Sequence, residues 1–434
     1  MPVSPGYCAI DFGTSNSSIA VPRAGAPMRL VELEAGYPIM PTAVFYAAEG
    51  GAREKPRCEF GRAAVAAYVD GIDGRLMRSM KSILGSTLVE QTTDIGGSRT
   101  VRYLDVVATY LGHLKRRAET ETGAAIGRAM LGRPVFFVDD DPARDAQAQA
   151  ALLSAARRAG FREIEFQYEP IAAAFDYEQG ALREEKVLVA DIGGGTSDFS
   201  LVRVGPLLAA KRERKDDILA NHGVHVAGTD FDRRVELASI LPLVGYGAFG
   251  VAAATAPARE VPSSVYFDLA TWHLINTVYN PLRLAELRGM RSFYADPAQH
   301  RRLMTVLADR LGHELLGRAE TAKIAVAEGG ATPIDLGHVE PRLVAELDEA
   351  GANDALASDL ERIVAAAEMT VRLAGLRPDA VDALYFTGGS TGLRLLADRL
   401  QRAFPRASPV RGDRFASVAT GLALHAARRF GAPR

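Results

Sequence analysis

The sequence predicts an α/β protein made of a duplicated domain, and two observations predict it. A strand–turn–strand unit occurs twice, about 180 residues apart, an offset too long for a solenoid repeat and suited to a repeated domain. Between and after the two copies, short apolar runs alternate with alanine-rich helical segments, the pattern of a sheet that is at least partly parallel.

The first unit is YCAIDFGTSNSSIAVP, Tyr7 to Pro22. Its apolar run Cys8–Ile10 ends at Asp11, a small polar turn follows, and Ile19–Val21 resumes the strand pattern. Pro134–Val138 (PVFFV) reads as a strand, and Asp139–Asp141 as the acidic cap of a helix over Pro142–Ala159. A strand follows over Glu163–Tyr168 and a helix over Pro170–Tyr177. The second unit, KVLVADIGGGTSDFSLVRV, spans Lys186 to Val204. Its strand Val187–Ala190 leads to Asp191, three glycines, Thr196 and Asp198, then to the strand Phe199–Val204. Asp11 aligns with Asp191 and Gly13 with Gly193.

The charge run Lys211–Asp217 (KRERKDD) reads as a solvated hairpin tip, with a binding patch as the alternative. Residues from about Arg233 to Ala327 read as mostly helical, with Trp272 a packing anchor rather than a ligand stack. Asp382–Phe386 is a strand. Gly388 and Gly389 make a turn, Ser390 caps a helix to about Phe404, and Val418–Phe430 is a closing helix.

Composition narrows the class. The 434 residues carry 51 Lys+Arg and 53 Asp+Glu, a net charge of −2, which argues against nucleic acid or an anionic membrane as partner. Two cysteines, Cys8 and Cys58, make no disulfide framework, so a reducing cytoplasm is the expected location. The opening MPVSPG lacks a cationic stretch followed by an apolar core, so no secretory signal is expected. Leu237–Ala258 carries no charge over 22 residues. Its prolines and glycines favour a buried or loop segment over a membrane span.

Physical chemistry gives the two turns a purpose. Glycines let several backbone N–H groups converge on one point, a nest for phosphate oxygens, and Ser and Thr hydroxyls add donors. A carboxylate at a strand end cannot face phosphate without a cation between them, so Asp11, Asp191 and Asp198 point to Mg²⁺ and its waters. One such turn reads equally as an ordinary tight hairpin; two copies favour the phosphate reading. No Walker loop or dinucleotide fingerprint occurs.

Five segments, DFGTSNSS, YEPIAAAFDY, DIGGGTSD, AGTDFD (Ala227–Asp232) and TGGS, occur in this order along essentially the whole chain. Together they resemble the nucleotide-binding domain of the DnaK-type heat-shock (heat-shock protein 70) chaperones, and the chain looks closest to the YegD-like subgroup. The resemblance implies an actin-like ATPase (ribonuclease H-like) fold of two lobes around a nucleotide cleft. Lobe I would be residues 1–185 completed by 412–434, and lobe II residues 186–411 with a mostly helical part at about 233–318.

It also implies ATP/ADP with Mg²⁺, and K⁺ as a further ion. The nucleotide would contact Gly13, Thr14, Ser15 and Asn16 of the first turn and Gly193, Gly194, Gly195 and Thr196 of the second. Gly388, Gly389 and Ser390 would hold the adenosine, closed over by Glu320, Lys323 and Ile324. Lys81, Glu169, Asp191 and Thr196 are the implied catalytic residues. Asp11, Asp191, Asp198 and Glu169 are the implied metal site, mostly through water. Pro134 matches a residue that relays nucleotide state. Ordinary explanations stand beside these: Lys81 as a surface lysine, Glu169 as an acid at a helix start, and Glu320 with Lys323 as a helix-face pair.

Two positions depart from the family pattern. Ile324 and Gly392 stand where it carries arginines, which puts base selectivity in question. The chain ends at ARRFGAPR without the family's linker and β-sandwich, so a nucleotide-binding unit without the usual peptide pocket is expected. The function implied is a slow, chaperone-like ATPase acting as a nucleotide switch, working with a protein client or co-chaperone, as a monomer or weak oligomer. The competing classes are an actin- or MreB-like filament former and a small-molecule kinase on the same fold.

Overall fold

The structure is a computed structural model that describes residues 6–23, 26–49, 56–138, 141–211, 213–251, 258–412 and 417–431. Its framework is one sheet pattern used twice. In the first sheet the strands run in the order Ala26–Leu30, Asn16–Arg23, Gly6–Phe12, Ile126–Arg133, Glu163–Tyr168. In the second the order is Ile218–Val224, Ser197–Val204, Glu185–Ile192, Ala383–Thr387, Ser408–Arg411. In each, the first three strands are antiparallel neighbours and the last two join in parallel. The register places Asp11 opposite Ser18 and Asp191 opposite Asp198, so both acids sit where a central strand runs out into its hairpin turn.

The central strands are apolar without alternation because both their faces are covered. Cys8, Ile10 and Phe12 face one way, onto the helix Tyr103–Thr122 through Tyr110, Leu111 and Leu114 and onto Pro142–Arg158 through Leu152 and Ala155. Ala9 faces the other way. There it meets a core shared with the second sheet, where Val187, Val189 and Val202 pack with Ile171 and Ala174 of the helix Glu169–Gly180 and with Leu422 and Ala426 of Ser417–Phe430. Leu188, Ala190 and Ile192 point away from that layer, toward the helix Glu349–Leu373 through Leu356, Leu360 and Ile363. The period of two along each strand thus sorts its side chains between an outer core and the layer joining the halves.

Several expectations are corrected. PVFFV forms no strand; the strand is Ile126–Arg133, and Pro134, with no N–H to donate, follows its last residue. Ser390 does not cap a helix. A single 3₁₀ turn, Gly389–Gly392, intervenes, and the helix Arg394–Ala403 starts after Leu393 with no side-chain cap. The run KRERKDD is not a solvated tip throughout: Arg214 and Asp217 are buried, joined to each other and, through Arg214, to Glu178.

Asp141 does cap the helix Pro142–Arg158, accepting from the Arg144 N–H at 3.0 Å, while Asp139 and Asp140 lie outside the described residues. The uncharged stretch from Leu237 breaks into a π-helical turn to Ile240 and a 3₁₀ turn over Leu241–Val244, and residues 252–257 lie outside the described residues. Among the described residues no helix is long and apolar enough to cross a membrane.

Candidate functional site

The two hairpin turns face each other across a cleft of about 730 Å³. Every residue singled out for the site lines it: Asp11, Gly13–Asn16, Lys81, Glu169, Asp191, Gly193–Thr196, Asp198, Glu320, Lys323, Ile324 and Gly388–Ser390. Pro134 and Gly392 line it too.

Neighbouring elements fasten the turns by their carbonyls. Thr42, almost fully buried, donates its hydroxyl to the Gly13 carbonyl and its N–H to the Ser15 carbonyl, each at 2.8 Å. Across a planar trans peptide the next N–H points the opposite way, so the amides of Thr14 and Asn16 are turned from the core. The second turn is held likewise. Ser390 donates to the Gly193 carbonyl at 2.8 Å, and the Thr229 hydroxyl to the Gly194 carbonyl at 2.7 Å. Two glycines are required by space. A Cβ on Gly194 would lie 2.7 Å from the Ser15 hydroxyl of the opposite turn. Gly388 has φ of 90°, and its Cβ would lie 2.4 Å from the Ile192 carbonyl and 2.7 Å from the Asp191 carboxylate.

Charge concentrates on the cleft floor. Lys81 sits in the 3₁₀ turn Met80–Ile83, reached through Ser79 at φ of 52°. Its ammonium donates to both Glu169 oxygens, at 2.6 and 2.8 Å, and both side chains are largely buried. Glu169 opens its helix, whose dipole favours an anion there. Burial works against the Lys81 charge, but Glu169, Asp11 and Asp191 outweigh it and hold its pKa above the ordinary lysine value. Burial pushes Asp11 well above the usual carboxylate range, with Glu169 and Asp191 adding and Lys81 opposing. Burial likewise pushes Asp191 up to about 7, with Asp198 and Glu169 adding and Lys81 opposing. One lysine therefore serves several acids, and the floor lacks positive charge. Among the described residues no three carboxylate, imidazole or thiolate groups are arranged to ligate one metal directly. A cation held through water fits this donor set.

On the far wall, Glu320, Lys323 and Ile324 belong to the helix Gly312–Ala325. Lys323 pairs with Asp232 at 2.6 Å and also donates to the Gly228 carbonyl at 3.5 Å. Its ion pair is thus with Asp232 of the AGTDFD segment. Burial pushes Asp232 up to about 6 although Lys323 pulls it down. Ile324 is 62% exposed. Sequence reading missed Asp232, Thr229 and Thr42 as members of the site; the first two lie in AGTDFD, a signal that was visible, whereas nothing local marks Thr42.

Two sheets of one topology, with their hairpin turns opposed across a cleft, define an actin-like ATPase fold. A family model described as "Hsp70 protein" matches residues 7–237, more than half of the chain. This chain belongs to the Hsp70 family. It is 27% identical over 438 aligned residues to the "Chaperone protein HscA homolog" of Pseudomonas fluorescens, covering 96% of this chain and 57% of that protein. The homologue of the same name from Aromatoleum aromaticum is 32% identical over 243 residues, 52% of this chain and 36% of that protein. The chain thus spans between about a third and just over half the length of these relatives.

Proposed function

We propose that this chain binds Mg·ATP in the cleft and hydrolyses it slowly, as the ATPase unit of a chaperone-like nucleotide switch. One observation carries the reading: the two fastened turns line the same cleft as the Lys81–Glu169 pair and the Asp11 and Asp191 carboxylates. The turns' amides and the Thr14, Ser15 and Thr196 hydroxyls would receive the phosphates. Asp11, Asp191, Asp198 and Glu169 would hold the waters of a magnesium ion, which supplies positive charge at the phosphate oxygens. Glu169 occupies two of the three Lys81 N–H donors, leaving one for a phosphate oxygen or the attacking water. Phosphoryl transfer needs mainly such positioning and charge neutralisation. Gly388–Ser390 on one side and Glu320–Ile324 on the other would hold the adenosine.

In this reading lobe I comprises 1–185 with 412–434 and lobe II 186–411. Loss of the γ-phosphate removes what both turns grip and lets the lobes part. The names of the relatives support a chaperone role with a protein client or co-chaperone. The test is steady-state Mg·ATP hydrolysis, wild type beside Lys81→Ala. Turnover should fall at least a hundredfold with ATP affinity little changed; equal turnover would sink the assignment of Lys81.

A further inference from the structure

The core of the second half holds an acid that the proposed chemistry does not use. Glu236 is fully buried, and among the described residues no hydrogen-bond donor reaches either of its carboxylate oxygens. It stands where the helix Gly228–Val235 loosens into the π-helical turn Glu236–Ile240, a rare local geometry that often accompanies a functional position. The surrounding core is apolar: Ile240 and Leu241 belong to the same buried cluster as Leu315 and Ala319 of the helix Gly312–Ala325.

Few polar groups face Glu236. On its own helix Asp232 stands one turn earlier and on the same side. Arg233 turns instead to Phe267, its guanidinium 5.7 Å from the ring centroid. Tyr279 follows the short helix Ile275–Val278, and its hydroxyl accepts the Gly312 N–H at 3.0 Å. On the strand Val344–Asp348, Ala345 and Leu347 face inward, while Glu346 and Asp348 are exposed. The helix Gly312–Ala325 sends Lys323, whose ammonium lies 2.6 Å from Asp232; Glu320 of that helix is exposed at the cleft. Asp232 and Lys323 line the cleft, and Glu236 does not.

Two buried acids therefore share one lysine. With both ionised, the cluster would carry a net negative charge in an apolar setting, and the Glu236 carboxylate would have no donor. One proton removes both costs. A neutral carboxyl has a hydrogen to give, and Asp232 keeps free lone pairs after taking Lys323. Burial, with Asp232 adding to it, pushes the Glu236 carboxyl well above the ordinary carboxylate range.

We propose that Glu236 is a positioning residue for the nucleotide site: it stays neutral and donates its hydrogen to Asp232, fixing the carboxylate that holds Lys323 in the adenosine wall of the cleft. This rests on the nucleotide reading above. A hydrogen bond to a carboxylate is short and strong, so it locks the Asp232 rotamer. Asp232 and the Gly228 carbonyl then occupy two of the three Lys323 N–H donors, leaving one aimed at the nucleotide.

Glu236→Gln and Glu236→Leu separate the possibilities. Glutamine keeps a donor for Asp232 and never ionises, whereas leucine fills the core without a donor. Infrared spectra of the wild type at pH 7 should show the carbonyl band of a protonated carboxyl that is missing from Glu236→Gln. Denaturant unfolding without nucleotide, from pH 5 to pH 8, reads the same proton. An acid whose folded pKa is raised loses stability as pH climbs above its unfolded value of about 4.3. The wild-type folding constant should therefore fall with pH more steeply than that of either variant, by up to about tenfold per pH unit. Calorimetric titration with ADP at pH 7 reads the position of Lys323. Glu236→Gln should bind like wild type, and Glu236→Leu about tenfold more weakly, the cost of one lost hydrogen bond to a charged group. A missing infrared difference, or equal pH slopes in the three proteins, would overturn the neutral Glu236. Glu236→Gln that binds ADP as weakly as Glu236→Leu would overturn the brace on Asp232. Wild type that binds no ADP would overturn the nucleotide reading and the positioning with it, whereas equal ADP binding by all three proteins would overturn the positioning alone.

Discussion

Replacing Arg214 with alanine should be among the most damaging changes away from the cleft. Its side chain is almost completely buried and donates to Asp217 at 2.7 Å, to the two Glu178 oxygens at 3.0 and 2.9 Å, and to the Arg203 carbonyl at 3.2 Å. Glu178 and Asp217 are themselves buried. Removing one partner of a buried ion pair costs about 3–5 kcal/mol, because the remaining charges stay in a poor solvent. Asp217 keeps Lys211 and Arg203, each at 3.2 Å, and Glu178 keeps the Gly205 N–H at 3.0 Å, so the lower half of that range is expected. The pH dependence follows. In the wild type, burial works to raise Asp217, but Arg214 and Lys211 outweigh it and hold its carboxyl below the ordinary value. That contribution is present above the unfolded pKa of about 3.9 and is lost as pH falls through the lower folded value. In Arg214→Ala the strongest counterion is gone, and protonation relieves the stranded acids. The deficit should therefore be largest near pH 7.5 and narrow by pH 5.5. Guanidinium unfolding followed by circular dichroism at both pH values tests this. Unchanged unfolding midpoints, or a deficit independent of pH, would refute the reasoning.

Three further outcomes are expected at the cleft. Gly388→Ala should lose about 1–3 kcal/mol of stability from its strained φ and most of its ATP affinity, since the new methyl meets Ile192 and Asp191; calorimetric titration and thermal melting check both. Asp191→Asn should make the nucleotide-free protein more stable at pH 8. The raised Asp191 pKa of about 7, set first by burial, means that its ionisation costs the wild type stability as pH rises from about 4 toward that value. Melting at pH 5 and pH 8 in the presence of a chelator should give a flatter dependence in the variant, which should also lose magnesium-dependent tightening of ATP binding. Ile324→Arg, on an exposed cleft position, should tighten ATP binding by about 0.5–1 kcal/mol through a cation over the base; ATP affinity unchanged on titration would remove Ile324 from the base-binding wall.

Much of the cleft was legible because its chemistry is local in sequence. A hairpin that must bend sharply and present amides needs small residues, and an acid at the strand end is its immediate neighbour, so Asp11–Asn16 and Asp191–Asp198 announce themselves. What was missed depends on partners distant in the chain. Asp232 acquires its role from Lys323, Arg214 from Glu178, and Thr42 from the carbonyls of Gly13 and Ser15. Charge density alone made KRERKDD read as solvent-facing, because sequence does not say which two of its charges turn inward. PVFFV misled for the opposite reason. Its apolar content matches a strand, yet it follows the true strand IGRAMLGR, whose glycines and arginines dilute the pattern. Ser390 has the composition of a helix cap, and only the extra 3₁₀ turn frees its hydroxyl to brace Gly193.

Besides the apolar core that the halves share, the polar and aromatic contacts between them differ in strength. One is the Glu178–Arg214 pair, whose Glu178 lies on the helix that begins at Glu169. Another is the approach of the two turns through Ser15 and Gly194. A third is the cluster in which the Trp272 ring stacks on Tyr68 and carries the Arg78 guanidinium. Parting the first would strand buried charges at about 3–5 kcal/mol. Parting the last gives up stacking and cation–π contacts of about 0.5–1.5 kcal/mol each, with every group left able to meet water. If the halves part, the smaller cost lies at the aromatic contact, so opening would be expected to separate that contact before the buried ion network. The helix Gly312–Ala325 would move with that contact, so Glu320, Lys323 and Ile324 would leave the cleft before the phosphate turns do. On this geometry a nucleotide would be released base first, its phosphates the last part to be let go.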